Sequence, residues 1–111
     1  MKEQTLVLPE AIRGYFDATN TQQAEAACSN FALDAVVTDN GETLHGSSAI
    51  HAWIKKTMEE FGAVAEPLHL AESDGKHVVT ARVSGNFPGS PVELDFEFTL
   101  RDEKIALLNI G

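Results

Sequence analysis

Residues 31–50 read FALDAVVTDNGETLHGSSAI, and this stretch decides the fold. A short apolar strand, Ala35-Val36-Val37, runs into Asp39. A turn at Asn40-Gly41 follows, then His45-Gly46, then a helix that Ser47 is placed to cap. The order sets one carboxylate at the mouth of whatever the strand and the helix enclose. A carboxylate beside an apolar cavity is penalised in its charged form, so its pKa rises and it can serve as a base.

Working outward, the N-terminal side is helical. Leu8-Pro9-Glu10 opens a first helix, with Pro9 in the first turn and Glu10 favoured by the helix dipole. Leu8, Ile12, Tyr15, Phe16 and Thr19 fall at helical spacing and form one apolar face. Thr21 is placed to cap a second short helix whose Ala24, Ala27 and Cys28 permit close packing. The third helix runs from Ser47 to about Phe61, with Ile50, Trp53, Ile54, Thr57, Met58 and Phe61 on one side. Lys55–Glu59 and Lys56–Glu60 pair on its solvated side, and Gly62 ends it.

From Ala63 the period switches to two. The expected strands are Val64–Glu72, His77–Phe87, Val92–Arg101 and Ile105–Ile110. Asp74-Gly75 and Asp102-Glu103 make tight turns, and Pro88-Gly89-Ser90-Pro91 a longer one. In the third of these strands Val92, Leu94, Phe96, Phe98 and Leu100 point one way, and Glu93, Asp95, Glu97 and Thr99 the other. One face therefore packs on a core while the other meets water or a partner. Helices first and strands later make an α+β domain.

At 111 residues the chain is read as one domain, residues 1–111. A net charge of −9 repels nucleic acid and anionic membranes, leaving neutral or cationic small molecules as the easier ligands. Cys28 is the single cysteine, so no intrachain disulfide forms, and it reads as a buried small hydrophobe. The apolar run in MKEQTLVLPEAI is too short for a signal peptide, and no segment is long enough to span a bilayer. The expected compartment is the cytoplasm. No Gly-rich phosphate loop, nucleophile elbow or cofactor fingerprint appears, so no cofactor is expected. His45, His51, His69 and His77 lack the spacing of a metal-ligand set, and no metal is expected either.

The arrangement resembles the nuclear-transport-factor-2-like superfamily, most closely its SnoaL-like and ketosteroid-isomerase-like branch. AVVTD followed by LHGSSAI is similar to the isomerase order of strand, Asp, turn and His-Gly before a helix. Tyr15, within IRGYFDA, matches the tyrosine of the isomerase oxyanion hole, and PVELDFEFTLRDEKIALLNI matches the paired last strands. The resemblance implies three N-terminal helices packed on a curved antiparallel sheet, a cystatin-like cone with an interior pocket. It also implies a homodimer joined through the outer sheet face, where Thr80, Arg82 and Ser84 stand beside Glu93, Asp95 and Glu97. The protonated aspartate that completes the isomerase oxyanion hole has no counterpart, because the inward positions of that strand are Leu94, Phe96, Phe98 and Leu100. Losing such a donor costs on the order of 10²–10³ in rate, which argues against steroid isomerase activity.

Asp39 has two readings: catalytic base, by the resemblance, or plain turn residue, because Asp and Asn favour turns. Tyr15 is either a donor to a ligand oxygen or a core tyrosine whose hydroxyl reaches the rim. His45, beside Gly46 at the presumed mouth, could shuttle a proton or be a surface histidine. Phe16, Trp53, Phe61, Phe96 and Phe98 are core residues of which some can line a pocket for a small apolar molecule. Three functions are compatible with these residues. One is a cofactor-independent acid–base enzyme of isomerase, cyclase or dehydratase type, with Asp39 as base. The second is a non-catalytic ligand-binding module. The third is a dimeric interaction domain whose cavity its own side chains fill.

Overall fold

The computed structural model describes residues 7–39 and 41–111. Residues 1–6, half of the segment weighed as a leader, and Asn40, half of the expected Asn40-Gly41 turn, lie outside the described residues. In chain order the elements are α1 (Glu10–Asn20), α2 (Ala24–Cys28), β1 (Phe31–Asp39), β2 (Glu42–His45), α3 (Ser47–Phe61), β3 (Val64–Ser73), β4 (Lys76–Ser84), β5 (Val92–Arg101) and β6 (Lys104–Ile110).

Apolar side chains at helical spacing make α1, which buries Ala11, Ile12, Tyr15, Phe16 and Ala18. Pro9 is its cap residue, one position earlier than expected. Thr21 closes α1 instead of capping α2: its hydroxyl donates to the Asp17 carbonyl at 2.9 Å, and Gln23 takes the α2 cap position. Gly46 likewise replaces Ser47 as the α3 cap residue. The far end of α3 follows expectation. Gly62 takes φ 55° and its N–H donates to the Met58 carbonyl at 2.9 Å, a left-handed stop that a side chain would strain.

The sheet runs β2-β1-β6-β5-β4-β3. Strands β3 to β6 form the expected antiparallel meander. The sheet as a whole is mixed rather than antiparallel, because β1 pairs with β6 in parallel, Val37 opposite Leu108 and Asp39 opposite Ile110. Alternation identifies a strand but not its partner. The meander leaves the far edge of β6 open, and the apolar β1 covers it. The polar ETLH segment was not expected as a strand; it folds back on β1 as β2, with Leu44 opposite Val37.

The inward face carries the core: Val37, Val79, Ala81, Phe98 and Leu108 are fully buried on it. A bulge at Leu68 interrupts β3, leaving Leu68 38% exposed and off the face shared by Ala65 and Leu70. On the outer face Thr80 donates to Asp95 at 2.8 Å, and Arg82 reaches Glu66 at 3.4 Å. Cys28 is half-buried rather than buried, and burial pushes its thiol pKa up. The Asn20 amide joins helix to sheet. It donates to the Ala65 carbonyl at 2.8 Å and accepts from the Ala65 N–H at 2.7 Å, satisfying both backbone groups of an edge-strand residue. Among the described residues no helix is long and apolar enough to cross a membrane.

Candidate active site

Strand parity delivers Asp39 to the interior. Ala35 and Val37 are fully buried, and Asp39 lies two residues further along the same row, at the strand end where the core gives way to a cavity. The cavity has a volume of about 120 Å³. Tyr15 and Thr19 of α1 line one side, Trp53, Ile54 and Met58 of α3 another, and Leu94 and Phe96 of β5 a third. Val64, 39% exposed, also lines it and marks where it meets solvent.

Aromatic packing holds Tyr15 in place. Its ring meets Phe16, Phe31 and Phe98 edge-on at centroid distances of 5.3, 5.7 and 5.9 Å. Burial pushes its phenol pKa far above the ordinary tyrosine range; the Asp39 charge adds to this, and a hydrogen bond with the Thr19 side chain opposes it in part. The phenol therefore stays neutral and can donate a hydrogen bond. Burial also raises the Asp39 carboxyl pKa. The Trp53 indole N–H, donating at 3.2 Å, pulls it back, and the Glu42 charge raises it again. A half-buried carboxylate and a neutral phenol thus share one apolar cavity. The first can take a proton, and the second can hold an oxygen on which charge develops.

Of the residues singled out in the sequence, Asp39, Tyr15, Trp53 and Phe96 meet at the cavity. The others do not reach it. His45 is exposed, because it pairs with the outward Val36 while its neighbour Leu44 pairs with the inward Val37. Phe16 and Phe98 share the inward side but fill the core, at 2% and 0% exposure. Phe61 turns away at the end of α3 and packs on Phe87, 6.0 Å between centroids. Thr19, Ile54, Met58 and Leu94 belong to the lining as well. All four lie on the apolar faces that the sequence spacing defines, but spacing does not say which part of a face borders a void. Among the described residues no group of three His, Cys, Asp or Glu side chains gathers to hold a metal.

Comparison with known proteins agrees with this architecture. A putative polyketide cyclase from Sinorhizobium meliloti superposes with a TM-score of 0.90 at 42% identity, over 94% of this chain and 95% of its own. A ketosteroid-isomerase-like protein from Catenulispora acidiphila, crystallised with trimethylamine, gives 0.82 at 19% identity over 95% and 86%. A nuclear-transport-factor-2-like protein from Cytophaga hutchinsonii gives 0.78 at 14% identity over 98% and 93%. No curated protein matches significantly. The model of the SnoaL-like domain matches residues 12–108, which takes in most of α1, Asp39, β1 to β5 and most of β6. The chain belongs to the SnoaL-like domain family.

Proposed function

We propose that the chain is an acid–base catalyst acting through its own side chains on a small apolar carbonyl compound. Asp39 removes a proton from the carbon next to the carbonyl, and the electron pair of that C–H bond passes into an enolate. The Tyr15 hydroxyl donates to the enolate oxygen. Where the substrate carries a C=C bond beyond that carbon the enolate is a dienolate, and Asp39 returns its proton to the γ-carbon while the double bond moves into conjugation, so the substrate leaves as an isomer. The observation that carries the reading is the shared cavity of Asp39 and Tyr15, with the carboxyl raised by burial and the phenol kept neutral. Likeness to a protein named as a cyclase supports acid–base chemistry at carbon, since ring closure also starts from such an enolate.

Phe96 lines the cavity on a strand where the isomerases carry a second donor, so Tyr15 alone would hold the oxygen. Exchange of the acidic C–H for solvent deuterium, followed by NMR on simple ketones, tests the proposal. Asp39→Asn should lower the exchange rate by about 10²–10⁴, the range for a positioned base. Equal rates in variant and wild type would remove Asp39 from the chemistry.

The trimethylamine held by the Catenulispora protein favours a second reading, in which the same pocket binds a small organic cation without reaction. Asp39 supplies the charge, and Trp53, Tyr15 and Phe96 supply aromatic walls. Trimethylamine binding abolished by Asp39→Asn, together with no exchange on any ketone, would decide for it.

A further inference from the structure

We infer that the substrate is a compact, non-anionic, single-ring compound with one carbonyl, and that fused-ring molecules do not enter. This rests on the acid–base reading of the same cavity. Size is the first argument. An apolar cavity of about 150 Å³ accommodates benzene, whereas pockets for drug-sized ligands span about 300–1,000 Å³. The cavity here is about 120 Å³. Its walls do not yield cheaply, because Ile54 and Phe96 are 4% and 5% exposed and Phe96 is wedged against Phe16 at 5.2 Å.

Polarity is the second argument. Thr57 spends its hydroxyl on the Trp53 carbonyl at 2.8 Å, and Trp53 spends its N–H on Asp39. What remains for a ligand is the carboxylate as acceptor and the mutually hydrogen-bonded hydroxyls of Tyr15 and Thr19, which together offer it one donor. A second polar group on the ligand would be stranded against Leu94, Phe96 and Ile110, which costs binding. Among the described residues no Lys, Arg or His lines the cavity and Asp39 does, so an anionic group meets no counter-charge from them. One carbonyl and one ring make the reaction a proton shift rather than a ring closure.

Met58 sets the limit on the helix side. It lines this cavity and also the open groove between α2 and α3 that Gln22, His51 and Lys55 border, so shortening its side chain should enlarge the cavity towards that groove.

Trp53 is the only tryptophan, so its fluorescence reports occupancy. Wild type, Met58→Ala and Leu94→Ala, the last enlarging the cavity from the sheet side, are titrated with cyclohexanone, cyclohexenone and the fused-ring decalone. The expected result is saturable binding of the single-ring ketones to wild type and none of decalone. At least one folded variant should bind decalone about tenfold or more tighter than wild type does. Decalone binding wild type as tightly as cyclohexanone, or no saturable response from any ring ketone, overturns the inference. Deuterium exchange on the same ketones separates it from the catalytic reading. Selective single-ring binding with exchange that ignores Asp39→Asn leaves the size inference standing and removes the base. Asp39-dependent exchange on decalone does the reverse.

Discussion

Trp53 Nε1 donates to Asp39 Oδ2 at 3.2 Å, tying the middle of α3 to the end of β1. A donor to a carboxylate stabilises its charged form, and this bond works against the burial that raises the Asp39 pKa. The two opposing influences set how basic Asp39 is. Trp53→Phe keeps an aromatic wall and removes the donor, so the Asp39 pKa should rise above its wild-type value. A carbon NMR titration of the side-chain carboxyl measures this directly. An unchanged or lower pKa in the variant would mean that the indole contact does not govern the titration.

Tyr15 offers a test free of overlap, because it is the only tyrosine. Its folded-state phenol pKa lies well above the ordinary value of 10.0, first through burial and then through the Asp39 charge. The native state therefore holds this proton more tightly than the unfolded state does. Stability is unaffected below the unfolded pKa of about 10 and is lost as pH rises beyond it. An ultraviolet titration should show no tyrosinate band until the chain unfolds, and Tyr15→Phe should resist alkaline unfolding better than wild type. Reversible tyrosinate formation near pH 10 in folded protein would place the phenol in solvent instead.

The legible and illegible parts of the site differ for physical reasons. Asp39 was readable because Ala35, Val37 and Asp39 share strand parity, and Tyr15 because it repeats with Ile12 and Phe16 at helical spacing. Phe96 and Phe98 share one face, and only their positions along β5 make one a cavity wall and the other core. His45 stands next to Gly46, yet its register against Val36 turns it outward. The parallel pairing of β1 with β6 joins segments far apart in the chain, and alternation carries no information about such partners. Asn20 reads as an ordinary polar residue at a helix end. Its twin bonds to Ala65 appear only once β3 lies beside it.

Those twin bonds carry a consequence for stability. Asn20→Ala leaves the Ala65 N–H and carbonyl without their side-chain partner, and the site is partly buried. The expected loss is about 1–3 kcal/mol, because an unpaired buried group forfeits its solvation. Asn20→Asp keeps the acceptor and loses the donor, so it should fall between wild type and Asn20→Ala. Urea midpoints of the three proteins check the order, and an Asn20→Ala midpoint equal to wild type would show that water replaces the amide without loss.

Gly85 supports the cavity from outside. A Cβ there would stand 2.9 Å from the Phe61 carbonyl oxygen and 3.0 Å from Ala63 Cα, both backbone atoms with little room to move. At Gly14 the nearest atom is closer, 2.6 Å, but it is the tip of the Asn30 side chain, which can shift at the cost of weakening its bonds to the Ala26 and Ala27 carbonyls. Gly85→Ala should therefore destabilise by about 1–3 kcal/mol, the cost of overpacking, and more than Gly14→Ala. Because Ala63 and Val64 line the cavity, it should also weaken binding of a ring ketone. Comparing melting temperatures of the two variants decides it, and the reverse order would contradict the backbone-clash argument.

The charge on Asp39 itself should weaken the fold. Its native pKa is raised, so the native state binds the proton more tightly than the unfolded chain, whose aspartate titrates near 3.9. Below that pH both states are protonated and nothing is lost. As pH rises through the unfolded and then the folded pKa, the native state must hold a partly desolvated charge, and wild-type stability falls relative to a neutral side chain. Asp39→Asn removes the charge and keeps an oxygen for the Trp53 N–H. It should match or exceed wild type at pH 7, with the difference shrinking towards pH 3. Asp39→Ala removes the acceptor too and leaves the indole N–H unpaired, which should cost about 1 kcal/mol relative to Asn. Melting of the three proteins at both pH values gives the answer. An Asp39→Asn variant less stable than wild type at pH 7 and equal to it at pH 3 would mean that the charge stabilises the fold. Asp39 would then be a structural turn residue, and the catalytic reading would go with it.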